Sequence, residues 1–122
     1  MHDQASSVIA GICRPEEALA RLGGYRDIYA DTLSSFLKDD DNFFGRIGEQ
    51  LEKGNLPEVR RLAHTLKGFA AMCGALSVAE VAALLENSCR PEGDRDLEPA
   101  YYSRLKREFA LCHERLAEYL KP

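Results

Sequence analysis

The chain has 122 residues, of which 45% are apolar and 30% charged, and its formal net charge is −4. That is the size of one domain with enough apolar side chains for a core, and it excludes a disordered chain. Lysine and arginine are spread along the sequence, which excludes a nucleic-acid surface built on clustered positive charge.

Residues 1–10 read as a disordered tail and residues 11–122 as one helical domain. The opening stretch MHDQASSVIAGICRPEE has no basic start, and its longest apolar run, Val8 to Cys13, is too short for an export signal. No run approaches the roughly 20 apolar residues of a membrane span. The chain is therefore expected to be soluble and cytoplasmic, free-standing or as the cytoplasmic part of a membrane-bound protein. A short helix opens at PEEALARLG, with Pro15 in its first turn and Gly23 and Gly24 ending it. A second runs from about Tyr25 to Lys38, with Tyr25, Ile28, Tyr29, Thr32, Leu33 and Phe36 on one face. Asp39, Asp40, Asp41 and Asn42 form a turn that offers N-caps to a third helix, Asn42 to Lys53. Gly54 stops that helix, and Pro57 suits the first turn of a fourth, Leu56 to Met72.

CGALS closes the fourth helix. The fifth runs from about Ser77 to Ser88, with Val78, Val81, Leu84 and Leu85 as its stripe. Ser77 with Glu80 three residues on has the pattern of a capping box. RPEGDRDLEP is a loop by composition. The last helix runs from about Pro99 to Leu120. No segment alternates with period two for long enough to be a strand. Short connections between amphipathic helices imply antiparallel neighbours, so the fold class is all-α, an up-and-down four-helix bundle with an additional short N-terminal helix. Cys13, Cys73, Cys89 and Cys112 form no CxxC pair and no zinc-finger spacing, and are expected to be reduced and mostly buried.

One stretch, AHTLKG at 63–68, does not follow from packing alone. Glycine inside a helix costs about 0.5–1 kcal/mol relative to alanine. On a wheel, Val59, Leu62, Ala63, Leu66, Phe69, Ala70 and Cys73 form the apolar stripe, and His64 falls nearly opposite its centre. Gly68 lies one turn on from His64, and Arg60, Arg61, Lys67 and Ala71 fill the rest of that face. The pattern is a flat, basic, accessible platform around one titratable nucleophile. A neutral imidazole can attack phosphorus, and ammonium or guanidinium groups beside it can hold phosphoryl oxygens. The plain reading is a solvated surface histidine, but it supplies no reason for Gly68. His113 reads as structural and His2 falls in the tail. Neither fits a metal-ligand pattern, so no metal site is expected.

AHTLKGFAAMCGALSVAEVAALLE resembles the signature of histidine-containing phosphotransfer (HPt) domains, carried here by Ala63, His64, Thr65, Leu66, Lys67, Gly68 and Gly74. ALARLGGYRDIYADTLSSFLKD and LEKGNLPEVRRLAHTLKG resemble the helices that precede it in that family, so the resemblance spans about residues 11–120. Phe69 departs from the small residue often found there, and a local packing change is expected. The resemblance implies that His64 accepts a phosphoryl group from a receiver-domain aspartate, typically of a hybrid histidine kinase, and passes it to a response regulator. It implies that Lys67 binds phosphoryl oxygens and that Gly68 admits the partner, with Arg60, Arg61 and Ala71 around them. It implies no cofactor of the chain's own, the Mg²⁺ coming with the receiver. The chain is expected to be a monomer, with no ATP-binding segment of its own. Two other readings stay open: the phospho-accepting domain of a chemotaxis-type kinase, and a helical adaptor without chemistry.

Overall fold

A computed structural model describes residues 11–38, 40–93 and 98–120, with the backbone alone at 40–42. Six α-helices and no strand occur among these residues: α1 Pro15–Arg21, α2 Arg26–Leu37, α3 Arg46–Lys53, α4 Leu56–Cys73, α5 Leu76–Ser88 and α6 Glu98–Leu116. A π-helical turn, Asp40–Gly45, leads into α3, and α6 tightens into a 3₁₀ turn at Ala117–Leu120. The expected tail at 1–10 lies outside the described residues. None of the described helices is long and apolar enough to cross a membrane.

Local sequence explains most of the helix ends. Pro15 starts α1, and Glu16 and Glu17 complement the positive end of its dipole. Gly74 ends α4 with a left-handed φ of 83°. A Cβ there would also lie 2.7 Å from the Arg14 carbonyl oxygen, so both backbone angle and space require glycine. The close approach is used: Arg14 N–H donates to the Gly74 carbonyl at 2.8 Å and ties the segment before α1 to the end of α4.

The bundle closes on one apolar core. Leu33 and Phe36 of α2, Val59, Leu62 and Leu66 of α4, Val78 and Leu85 of α5, and Leu105 and Leu116 of α6 are all buried within it. Each such side chain stabilises the fold by roughly 1.5–3 kcal/mol relative to exposure. Helix α4 packs against α2, α3 and α5, and α5 lies between α4 and α6. Aromatic rings fill one end. Phe36 meets Phe69 edge-on at 5.2 Å between centroids and Phe109 at 5.4 Å, and Phe43 meets Phe69 at 6.2 Å. Phe69 thus packs within an aromatic cluster.

Three local expectations fail. Ser77 does not cap α5. Ala75 holds the cap position without a side-chain hydrogen bond, because the tight turn at Gly74 lets α5 begin at Leu76. Ser77 lies inside the helix, buried, with Oγ 3.3 Å from Cys112 Sγ. Helix α3 itself begins at Arg46, later than the expected start at Asn42. Gly45 precedes it in helical conformation, continuing the π-helical turn. The expected caps lie outside the description, Asp39 wholly and residues 40–42 in their side chains. Finally, α2 buries Tyr29, Leu33, Phe36 and Leu37 but leaves Tyr25 and Ile28 exposed.

Candidate functional site

Gly74 and Ala75 join α4 to α5 as a helical hairpin, so residues at similar distances on either side of the turn face one another. His64 and Glu86 stand in that relation. Glu86 Oε2 lies 2.9 Å from His64 Nδ1. Its other oxygen, Oε1, accepts a hydrogen bond from Lys67 Nζ at 2.8 Å. One carboxylate from α5 therefore bridges two side chains that lie one turn apart on α4.

The three groups differ in exposure. The side chain of His64 is 66% exposed, that of Lys67 37% and that of Glu86 only 10%. Burial acts against the charged form of Glu86. Hydrogen bonds from Lys67 and His64, with their charges, outweigh it and hold the carboxyl below the usual carboxylate range. Glu86 is therefore an acceptor only at neutral pH. An acceptor facing Nδ1 requires the ring proton there. The neutral imidazole then carries its lone pair on Nε2.

The space beside the ring is clear. A Cβ on Gly68 would meet no atom within 4 Å. Relief of crowding inside the bundle is therefore not the reason for glycine at this position.

The remaining sequence-predicted residues divide. Arg60 and Arg61 line a shallow depression with Pro57, His64, Thr65, Glu86 and Arg90. Arg61 donates from Nε to Glu58 Oε1 at 2.8 Å, so its guanidinium is already engaged by a carboxylate on its own helix. The Glu58 side chain also lies 3.5 Å from Arg46. Ala71 is half-buried. Its carbonyl accepts a hydrogen bond from Arg21 Nη2 at 2.9 Å, which pins α1 to the far end of the motif helix. His113 is exposed, with its ring edge-on to Phe109 at 6.0 Å. Among the described residues no three His, Cys, Asp or Glu side chains gather as a metal site.

The sequence reading missed Glu86 and Arg90. The platform that the sequence presents as basic also has a carboxylate beneath it, which balances Lys67. A signal for Glu86 existed: Val78, Ala82 and Glu86 are spaced by four on α5, which puts a carboxylate in line with buried residues. A glutamate so placed needs cationic or hydrogen-bonding partners.

A family model, the Hpt domain, matches residues 31–119. Comparison with curated proteins and with solved structures returned no significant match.

Proposed function

We propose, from the premise that the chain belongs to the Hpt domain family of histidine phosphotransfer modules, that His64 is the residue carrying the phosphoryl group and Nε2 its reactive atom. The bridge from Glu86 to His64 and Lys67 supports this reading most directly. Glu86 fixes the ring proton on Nδ1 and so directs the Nε2 lone pair outward, over the open face left by Gly68.

In the proposed step, Nε2 attacks the phosphorus of an aspartyl phosphate on a receiver domain. The N–P bond forms as the P–O bond to aspartate breaks, and the carboxylate leaves with the bonding electrons. The ring becomes positively charged while Nδ1 keeps its proton, and the Glu86 carboxylate stabilises that charge. Lys67, on a flexible stem, turns its ammonium toward the phosphoryl oxygens. Passing the group to a second receiver runs the same step backwards. The Mg²⁺ that such aspartates need comes with the receiver. The chain acts as a monomeric carrier between a hybrid kinase's receiver and a response regulator.

The docking face extends from His64 along α4, through Gly68 and Ala71 to Met72, which is 43% exposed. Tyr29 of α2 donates to the Cys73 carbonyl at 2.8 Å and brings the start of α2, with exposed Ile28 and Tyr25, toward the same end. Arg60 and Arg90 border the other side of the histidine.

The test is incubation with a phosphorylated receiver domain and, separately, with the ATP-binding domain of a histidine kinase. Label is expected on His64 from the receiver, stable in base and lost in acid as for a phosphoramidate. Uptake by His64→Gln would refute the assignment. Label from the kinase domain alone would favour the chemotaxis-type reading.

A further inference from the structure

The depression beside His64 is walled from two elements. Arg60 comes from α4, one turn before the histidine, and Arg90 lies just past the end of α5, four residues after Glu86. Both arginines are half-buried. They share the depression with Pro57, Arg61, His64 and Glu86.

The cations around the histidine are not equivalent. Lys67 donates to Glu86 at 2.8 Å. Arg61 donates to Glu58 at 2.8 Å, and Arg46 of α3 lies 3.5 Å from the same carboxylate. These charges are already answered within the fold. Among the described residues no carboxylate pairs with Arg60, and Arg90 Nε donates only to the neutral amide oxygen of Asn87, at 3.2 Å. Two guanidinium charges therefore stand unbalanced on one side of His64, in a chain whose net charge is −4.

The phosphoryl group does not supply the missing anion. On the proposed reading it sits on Nε2, the ring nitrogen remote from Glu86. Nδ1, the other nitrogen, faces α5 and the side on which Arg90 stands. Gly68, which opens the face for transfer, lies one turn after His64, whereas Arg60 lies one turn before it. The two arginines thus border the ring on the side away from the reacting atom.

We infer, resting on the phosphotransfer reading above, that Arg60 and Arg90 select the partner: they form a cationic rim that receives carboxylates on the docking edge of a receiver domain. An acidic partner is repelled by most of this chain and attracted at this rim. The rim therefore speeds encounter and fixes the orientation in which the receiver meets His64. The apolar end of the face, at Met72 and Ile28, then closes against it. A receiver with lysine or arginine at that edge would meet two like charges and be rejected. The arginines act on docking and leave the transfer step itself to His64, Lys67 and Glu86.

The experiment uses the full chain and a receiver domain with an acidic docking edge. Fluorescence anisotropy reads its Kd for the unphosphorylated chain, and transfer from its aspartyl phosphate is followed across receiver concentration. Replacing both arginines, Arg60→Gln with Arg90→Gln, should raise Kd about tenfold at low salt. The difference from wild type should fade at about 0.5 M salt, where exposed charges are screened. The transfer rate at saturating receiver should stay within about twofold of wild type, so that the half-saturating concentration carries the whole effect. Arg60→Lys with Arg90→Lys, which keeps both charges, should restore most of the affinity. Arg107→Gln, an equal charge change at an exposed position of α6, should leave Kd unaltered. An unchanged Kd in the glutamine pair would overturn the inference. So would a loss of affinity as large at high salt as at low salt, or an equal loss in Arg107→Gln. A fall in the saturating rate at constant Kd would also overturn it, because the arginines would then act on the phosphoryl group. Failure of the phosphotransfer reading has a different signature: the receiver binds with the stated dependence on both arginines, yet His64 takes no label.

Discussion

Replacing Glu86 by glutamine keeps the shape of the side chain and removes one acceptor. The carboxylate serves two donors at once, Lys67 Nζ at 2.8 Å and His64 Nδ1 at 2.9 Å, each from its own oxygen. An amide has one oxygen and one NH₂. If the oxygen stays with Lys67, the NH₂ faces Nδ1 and favours the tautomer with its proton on Nε2, which removes the proposed nucleophilic lone pair. If the amide flips, the NH₂ points at an ammonium. Hydrogen bonds to charged groups contribute about 1.5–3 kcal/mol. Lys67 and His64 are both more than a third exposed, so solvent screening favours the low end, about 1–1.5 kcal/mol. Spent on tautomer choice, that slows transfer about tenfold. Single-turnover transfer from a phosphorylated receiver reads the rate, ¹⁵N NMR of the imidazole reads the tautomer, and a urea melt reads stability. An unchanged rate in Glu86→Gln with the ring proton still on Nδ1 would refute this reasoning.

Gly68→Ala should raise stability by up to about 1 kcal/mol, since nothing lies where the methyl would go, yet slow transfer from a receiver. Gly68→Gln should fold and transfer more slowly still; a clearly lower melting temperature for it would argue against the clearance role. Lys67→Ala should slow transfer about tenfold, and it should also lose some stability, because Glu86 is left with His64 alone. Equal transfer rates in Lys67→Ala and wild type would remove the lysine from the mechanism. Glu86 sits below its ordinary value of 4.5 in the folded chain, so its contribution is fully present above that pH and is lost as the pH falls through the lower folded value. The stability gap between wild type and Glu86→Gln, followed by urea melts, should therefore close on acidification below about pH 4.5; a gap that widened would reverse the sign.

What the sequence showed was what a helix determines by itself. His64 and Gly68 share a face because they are four apart, and the helices follow from period and from Pro15, Gly54 and Gly74. What it hid depends on where a second element stops. The capping pattern at Ser77 is purely local and is overridden: the left-handed turn at Gly74 lets α5 start at Leu76, two residues after that glycine, and carries Ser77 into the core. Tyr25 and Ile28 belong to an apolar face on the wheel, yet they lie beyond the part of α2 that the bundle covers.

Glu86 is the case that changes the chemistry. Nothing within α4 reveals it, because it enters through the register of the α4–α5 hairpin. Without it Lys67 would be a free cation beside the histidine, and a free cation would hold a phosphoryl group tightly. A carrier must release what it accepts, so strong binding of the carried state would make it a sink. On the proposed function, with Glu86 in place, Lys67 gives up one charge-assisted hydrogen bond to make another, and only the difference would favour the phosphorylated form. Glu86 meanwhile keeps its bond to Nδ1–H, which strengthens as the ring gains charge. On the proposed function, one carboxylate thus activates the ring toward phosphorus and limits how firmly the lysine keeps the product, so that the group can leave in either direction.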